Sequence, residues 1–270
     1  MPKRAAVMQD LSGLGHCSLS AAMAILPAQG IQCCSVPTCI LSTQTDGYTE
    51  FSFCDLTKAL DEYLSHWEAL GERFDAVFTG YLGTAGQIEE ARRLMRMKKE
   101  NGLVLVDPVM GDDGALYSAV SKDMPEKMRH LVRHADVITP NLTEAYLLLG
   151  KDYHSADREQ AMALAKDLSA LGPEKVVISG IETENTVAMA GIDKGNPFYI
   201  EKPRIACSYP GSGDAFACVL LGQLLRGAVF LQAVEKAADF VCLCVEKSRE
   251  IQAPRREGLV FEPFLKELLA

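Results

Sequence analysis

The chain has no stretch approaching the ~18 to 20 consecutive apolar residues that a membrane-crossing helix requires, so no membrane partner is expected. Nor has it an excess of positive charge: 27 Lys and Arg stand against 36 Asp and Glu, a net −9. A nucleic-acid-binding domain would show the opposite balance. Overall acidity does not exclude a small anion, because a few backbone amides at a helix start suffice to hold one. No Cys-x-x-Cys pair occurs, which removes the usual structural zinc site. The nine cysteines are odd in number and sit mostly among apolar neighbours, as in 217–221 (ACVLL) and 241–245 (VCLCV). They read as core filler of a reduced, cytoplasmic protein and not as a disulfide framework. The opening MPKRAAVMQD carries two basic residues but no apolar segment of the kind a secretion leader needs. Walker A sequences, long Pro/Gly/Ser linkers and internal repeats are also missing, so residues 1–270 are expected to form one domain.

What is present is 270 residues, 48% of them apolar, ample for a large core. Short apolar runs recur at 5–8, 34–41, 76–79, 103–106, 137–139 and 176–179 and read as strands buried on both faces. Helical periods lie between them. Ile88, Ala91, Leu94 and Met95 share one face, and so do Ala161, Leu164, Ala165, Leu168 and Leu171 before a Gly-Pro stop. The alternation predicts an α/β fold: one doubly wound, mainly parallel sheet with helices on both faces. Two further runs, 186–192 and 197–202, flank Asp193-Lys194-Gly195-Asn196 and predict a late antiparallel hairpin. After it, 213–226 and 231–249 read as strongly apolar helices.

Ligands of such sheets bind beside the loops at the carboxyl ends of the strands, and several of these loops are rich in polar residues and glycine. The first, Gln9–Ser18, misses the dinucleotide fingerprint: Gly13-x-Gly15 is present, but Ser18 stands at the third glycine and no acidic residue follows at the required distance. A glycine turn explains the glycines but not Ser12, expected to be exposed. Asp107, at the end of a Leu/Val strand and followed by Pro108, suits either a metal-facing carboxylate or a turn cap. In Thr139-Pro140-Asn141-Leu142-Thr143-Glu144, Asn141 and Glu144 fit a capping box. Glu144 and Asp107 would nevertheless converge at one end of neighbouring strands, an arrangement that suits Mg²⁺ held through water. The sharpest signal is Pro210-Gly211-Ser212-Gly213-Asp214 before an apolar helix. Two glycines allow successive amides to face one point at the positive end of a helix dipole, where a phosphoryl group in transfer is stabilised. Asp214 is aimed into the same space.

Gly-Ser-Gly-Asp before an apolar helix, preceded by D-P-V-M-G-D at 107–112 and T-P-N-x-x-E at 139–144, resembles the ribokinase-like superfamily. Together with S-T-Q-T-D-G-Y at 42–48 and T-G-Y at 79–81, it resembles the pyridoxal/pyridoxine/pyridoxamine kinases over essentially the whole chain. The resemblance implies phosphorylation of the 5′-hydroxymethyl group of a vitamin B6 vitamer by ATP with Mg²⁺, and leaves a K⁺ requirement open. It implies Asp214 as base, with Gly211, Ser212 and Gly213 as anion hole. Asp107 and Glu144 would organise ATP and Mg²⁺, with Thr139, Ser179 and Tyr117 on the nucleotide side. Ser12 and Thr45 would hydrogen-bond the pyridine, and Tyr81 would cover its ring. A homodimer is implied by the same analogy. The first loop is one residue shorter than the family pattern, which leaves Ser12 and Asp10 as alternatives, and Asp46 is inserted after Thr45. Rival readings are a hydroxymethylpyrimidine or sugar kinase and a regulator that binds nucleotide without turnover; the intact Asp214 and its glycines speak against the last.

Overall fold

Nine strands form one sheet in the computed structural model, which describes residues 1–269. The elements in chain order are β1 (Lys3–Ser12), α1 (Ser18–Ala28), β2 (Ile31–Leu41), β3 (Phe53–Asp55), α2 (Thr57–Ala69), β4 (Phe74–Thr79), α3 (Ala85–Met95) and β5 (Lys98–Val106). There follow β6 (Gly111–Asp112), β7 (Ala115–Leu116), α4 (Met124–Val132), β8 (Val137–Ile138), α5 (Leu142–Leu149) and α6 (Arg158–Ser169). The chain closes with β9 (Lys175–Glu182), β10 (Thr186–Asp193), β11 (Asn196–Pro203), α7 (Ser212–Leu225) and α8 (Phe230–Glu250).

The sheet order is β11-β10-β9-β8-β5-β4-β1-β2-β3. All pairs from β2 to β9 are parallel, while β3 and the β10–β11 hairpin are antiparallel additions at the two edges. The hairpin turns at Lys194 (φ 49°) and Gly195 (φ 85°), the two positive values that a two-residue turn matched to strand twist requires. Central strands are buried on both faces. In β1, Ala6 and Met8 pack with α2 to α6, while Ala5 and Val7 pack with α1, α7 and α8. This three-layer α/β arrangement is the one the alternating pattern predicted.

β1 runs longer than its apolar core suggests. The pairing continues to Ser12↔Leu41, with a register shift between Gln9 and Leu11 where Asp10 lies opposite an irregularity in β2. Polar Gln9, Asp10 and Ser12 are therefore strand residues, and Ser12, expected to be exposed in a loop, is buried. Such irregularities re-aim side chains beside active sites. From β1 the chain winds one way to β2 and, after β4, the other way through β5, β8 and β9. The crevice between β1 and β4 at the carboxyl end is thus the switch point at which this architecture binds ligands.

Candidate active site

Gly211 opens α7 in the left-handed region at φ 87°, and a Cβ there would stand 1.9 Å from the backbone oxygen of His16. Only glycine lets the first loop lie this close to the start of α7. Ser212 turns inward, its hydroxyl donating to the Tyr209 carbonyl at 2.7 Å. Gly213 is exposed, and a Cβ on it would meet nothing within 4 Å. Open space therefore adjoins the positive end of a 14-residue helix.

Asp214 sits in that first turn, partly buried, and desolvation pushes its carboxyl up to about 8. The Ser18 backbone amide opposes the shift, while the charges of Asp107 and Asp10 add to it. Ser18 begins α1 with φ 47°, so Asp214 faces the amino ends of two helices, and one is entered through a strained residue.

Asp107 and Glu144 form a buried carboxyl pair, 6% and 3% exposed. The Thr139 hydroxyl donates to Asp107 Oδ1 at 3.0 Å. Glu144 Oε1 accepts from the Met110 amide at 3.0 Å and Oε2 from the Asn141 amide at 2.9 Å. Asn141 Oδ1 accepts in turn from the Glu144 amide at 2.8 Å, which completes the capping box. Burial raises both carboxyls, and Asp107 raises Glu144 further. Two acids in one desolvated place hold a proton in common unless a cation replaces it. Around them, the Ser179 amide donates to the Pro140 carbonyl at 2.9 Å, and the short β6–β7 hairpin leads to Tyr117. Desolvation raises the Tyr117 phenol, as do the charges of Glu144, Asp112, Asp107 and Asp214. Tyr117 is itself exposed at the end of this hairpin and senses the charge of the carboxyl pair and of Asp214.

Across the switch point lie the groups expected on the acceptor side. Asp10 is 8% exposed, and the Ser12 hydroxyl donates to its Oδ2 at 3.3 Å. Tyr81, partly buried after β4, has its phenol raised by burial and by Cys39 and Asp10. Thr45 is exposed. Two residues earlier in the same motif, the Thr43 hydroxyl is buried without a hydrogen-bond partner, as are the Thr79 hydroxyl and both amide atoms of Gln9. Buried polar atoms without partners are rare in folded proteins and mark places where a ligand or water completes the bonding. Gln9 and Thr43 were not picked out by sequence reasoning. The alternation in S-T-Q-T offered the Thr43 signal, since positions 43 and 45 are equivalent by pattern.

Residues 254–262 strap these loops together. His16 Nδ1 lies 2.8 Å from the Glu257 carbonyl and Nε2 lies 2.8 Å from Glu262 Oε1. Arg255 pairs with Asp46 at 2.7 Å, and the Arg256 guanidinium stacks over Tyr48. The strap thus holds the first loop and the 42–48 segment against the start of α7. No group of three or more His, Cys, Asp or Glu side chains suited to a metal occurs among the described residues, and no helix among them is long and apolar enough to cross a membrane.

A family model described as phosphomethylpyrimidine kinase matches residues 15–258. A pyridoxine/pyridoxal/pyridoxamine kinase of Bordetella avium is 30% identical over 259 residues, covering 90% of this chain and 86% of its own. A pyridoxal kinase of Rubrobacter xylanophilus is 30% identical over 95% of this chain and 93% of its own. Among solved structures, a Bacteroides thetaiotaomicron protein assigned as a phosphomethylpyrimidine kinase, crystallised with pyridoxal, matches at TM-score 0.94 and 34% identity over 99% of this chain and 96% of its own. Pyridoxal kinase from Lactobacillus plantarum matches at TM-score 0.92 and 31% identity over the same shares.

Proposed function

The chain belongs to the phosphomethylpyrimidine kinase family, and from that membership we propose that it transfers the γ-phosphoryl group of ATP to the 5′-hydroxymethyl group of a vitamin B6 vitamer. The observation that supports the reading is that Asp214, in the first turn of α7 next to the open space at Gly213, senses the charge of Asp107 of the buried carboxyl pair. The pyridoxal bound by the Bacteroides protein and the names of the 30%-identical relatives support the acceptor.

Asp214 would accept the hydroxyl proton as the new P–O bond forms, and the amides of the Gly211–Gly213 turn would hold the charge on the transferring group. Asp107 and Glu144 fit a divalent cation, because two buried carboxyls with raised proton affinity are a site short of positive charge. Two carboxylates completed by phosphate and water are the usual protein share of a Mg²⁺ site, and the ion when bound neutralises phosphate charge. Thr139, Ser179 and Tyr117 border the nucleotide side in this reading, and Ser12 and Tyr81 the acceptor side. The reading also takes 1–270 as one cytoplasmic kinase domain working as a homodimer; any K⁺ need belongs to the same family expectation.

Glu144→Gln tests the metal assignment. A carboxylate accepts from both the Met110 and Asn141 amides, whereas an amide side chain can accept from only one and turns its NH₂ toward the other. The variant is expected to lose about 1–3 kcal/mol of stability and to need more Mg²⁺ for half-maximal rate. A lowered melting temperature with unchanged Mg²⁺ dependence would leave Glu144 a helix cap.

The description of the family model names a second acceptor, a phosphomethylpyrimidine, whose unphosphorylated form is hydroxymethylpyrimidine. ADP release measured with each B6 vitamer, with hydroxymethylpyrimidine and with sugars separates the two. Turnover with the vitamers is expected; turnover with the pyrimidine or a sugar alone would overturn the reading.

A further inference from the structure

Asp10 is a buried acid to which the protein supplies no counter-charge. Desolvation raises its carboxyl, hydrogen bonds from Ser18, Ser12 and its own backbone amide oppose the rise, and no cation is among the groups acting on it. Its ionisable neighbours are acids: Asp214, Cys17, Cys39 and Tyr81 each sense its charge. A carboxylate 8% exposed and unpaired is costly, and natural cores pair such charges or coordinate them. The strand irregularity between Gln9 and Leu11 sets this one acid at the switch-point crevice. At the same end of the sheet, Gln9 lies against Gly80, the residue before Tyr81, with both amide atoms unpartnered, and the Thr43 and Thr79 hydroxyls are unpartnered too. These atoms can satisfy a polar ring but none carries positive charge. Asp107 and Glu144 are answered by the nucleotide's cation in the proposed reaction, whereas Asp10, on the opposite side, is not.

We infer that Asp10 is the specificity-determining residue of the acceptor pocket and pairs, as a carboxylate, with a protonated nitrogen of the acceptor. The inference rests on the kinase reading above and deepens it: the acceptor is taken as a cation. The positive nitrogen has two sources, a ring pyridinium N–H present in every B6 vitamer, or the 4′-ammonium present only in pyridoxamine. A hydrogen-bonded ion pair in a desolvated site discriminates against the neutral partner by about 10- to 100-fold.

Steady-state kinetics of wild type, Asp10→Asn and Asp10→Ser with pyridoxamine, pyridoxine and pyridoxal test this, with the KM for ATP and the melting temperature as controls. Both variants remove a buried charge and are expected to melt at or above the wild-type temperature, so lost activity is not lost fold. kcat/KM for the acceptor should fall about 10- to 100-fold while the KM for ATP stays within about twofold. Equal losses for the three vitamers assign the partner to the ring nitrogen. A loss confined to pyridoxamine, with wild type preferring it, assigns the 4′-ammonium. Variants within about twofold of wild type for every vitamer would overturn the assignment of Asp10 and leave the kinase reading standing. Wild-type protein that phosphorylates no vitamer would overturn both.

Discussion

Asp214→Asn should lower kcat by about two to four decades, the range of general-base assistance, and yield a protein that melts higher than wild type at neutral pH. Asn keeps the size of the side chain and its place in the first turn of α7 but cannot take the proton. The stability gain follows from the sign of the shift. The folded carboxyl is raised from 3.8 to about 8, so protonation favours the folded state. Its stabilising effect is full below the unfolded value and is lost as pH rises through the folded one. At pH 7 to 8 the wild-type fold thus bears most of the cost of a desolvated carboxylate that Asn removes. For a chain of this size each 1 kcal/mol shifts the melting temperature by roughly 2–4 °C. The same shift predicts that kcat/KM climbs with pH as Asp214 loses its proton, and that the climb is absent in Asp214→Asn. ATP should bind the variant at least as tightly, since a negative charge near the γ-phosphate is gone. More than about a tenth of wild-type kcat would lie outside the range for a general base and leave Asp214 a helix-terminal residue.

Gly211→Ala and Gly213→Ala are two residues apart and should fail in different ways. Alanine at 211 meets both a positive φ and the His16 carbonyl at 1.9 Å. Neither backbone can yield without moving the first loop, which the 254–262 strap anchors through His16. A loss of ~3 kcal/mol or more is expected, with a melting temperature lower by roughly 6–12 °C. Alanine at 213 strains nothing and should melt at, or roughly 1–4 °C above, the wild-type temperature. Its methyl nevertheless enters the space over the α7 amides, and the expected loss is tenfold or more in kcat/KM for ATP, about 1.4 kcal/mol of transition-state stabilisation. Unchanged kinetics in Gly213→Ala would mean that those amides do not face the phosphate. A wild-type melting temperature in Gly211→Ala would contradict the packing of the first loop on α7.

The layers were legible because strands buried on both faces, such as Leu103–Val106, can be read as apolar runs, and helices such as α3 and α6 show their buried stripe directly. The Asn141–Glu144 cap was legible as a local spacing. Elements with little buried surface were not: β3 is three exposed residues, and α2 buries only Leu60 and Leu64. The end of β1 was misplaced because Gln9, Asp10 and Ser12 carry polar side chains in a strand, and polarity there reads as loop. Contacts between distant segments left no local mark at all. The Met110 amide reaches Glu144 across 34 residues, and His16 reaches the Glu257 carbonyl across 241. Glu144 as a double acceptor and the strap over the 42–48 segment therefore emerge only in the fold.

The central claim is transfer of a phosphoryl group to one hydroxyl of one class of acceptor, and it is tested most directly with γ-labelled ATP. Wild-type protein with Mg²⁺ should move label to pyridoxal, pyridoxine or pyridoxamine, and none to 5′-deoxypyridoxine, which keeps the ring but lacks the accepting hydroxyl. Label on the 5′-deoxy compound, or label that passes only to a pyrimidine or a sugar, would contradict the account.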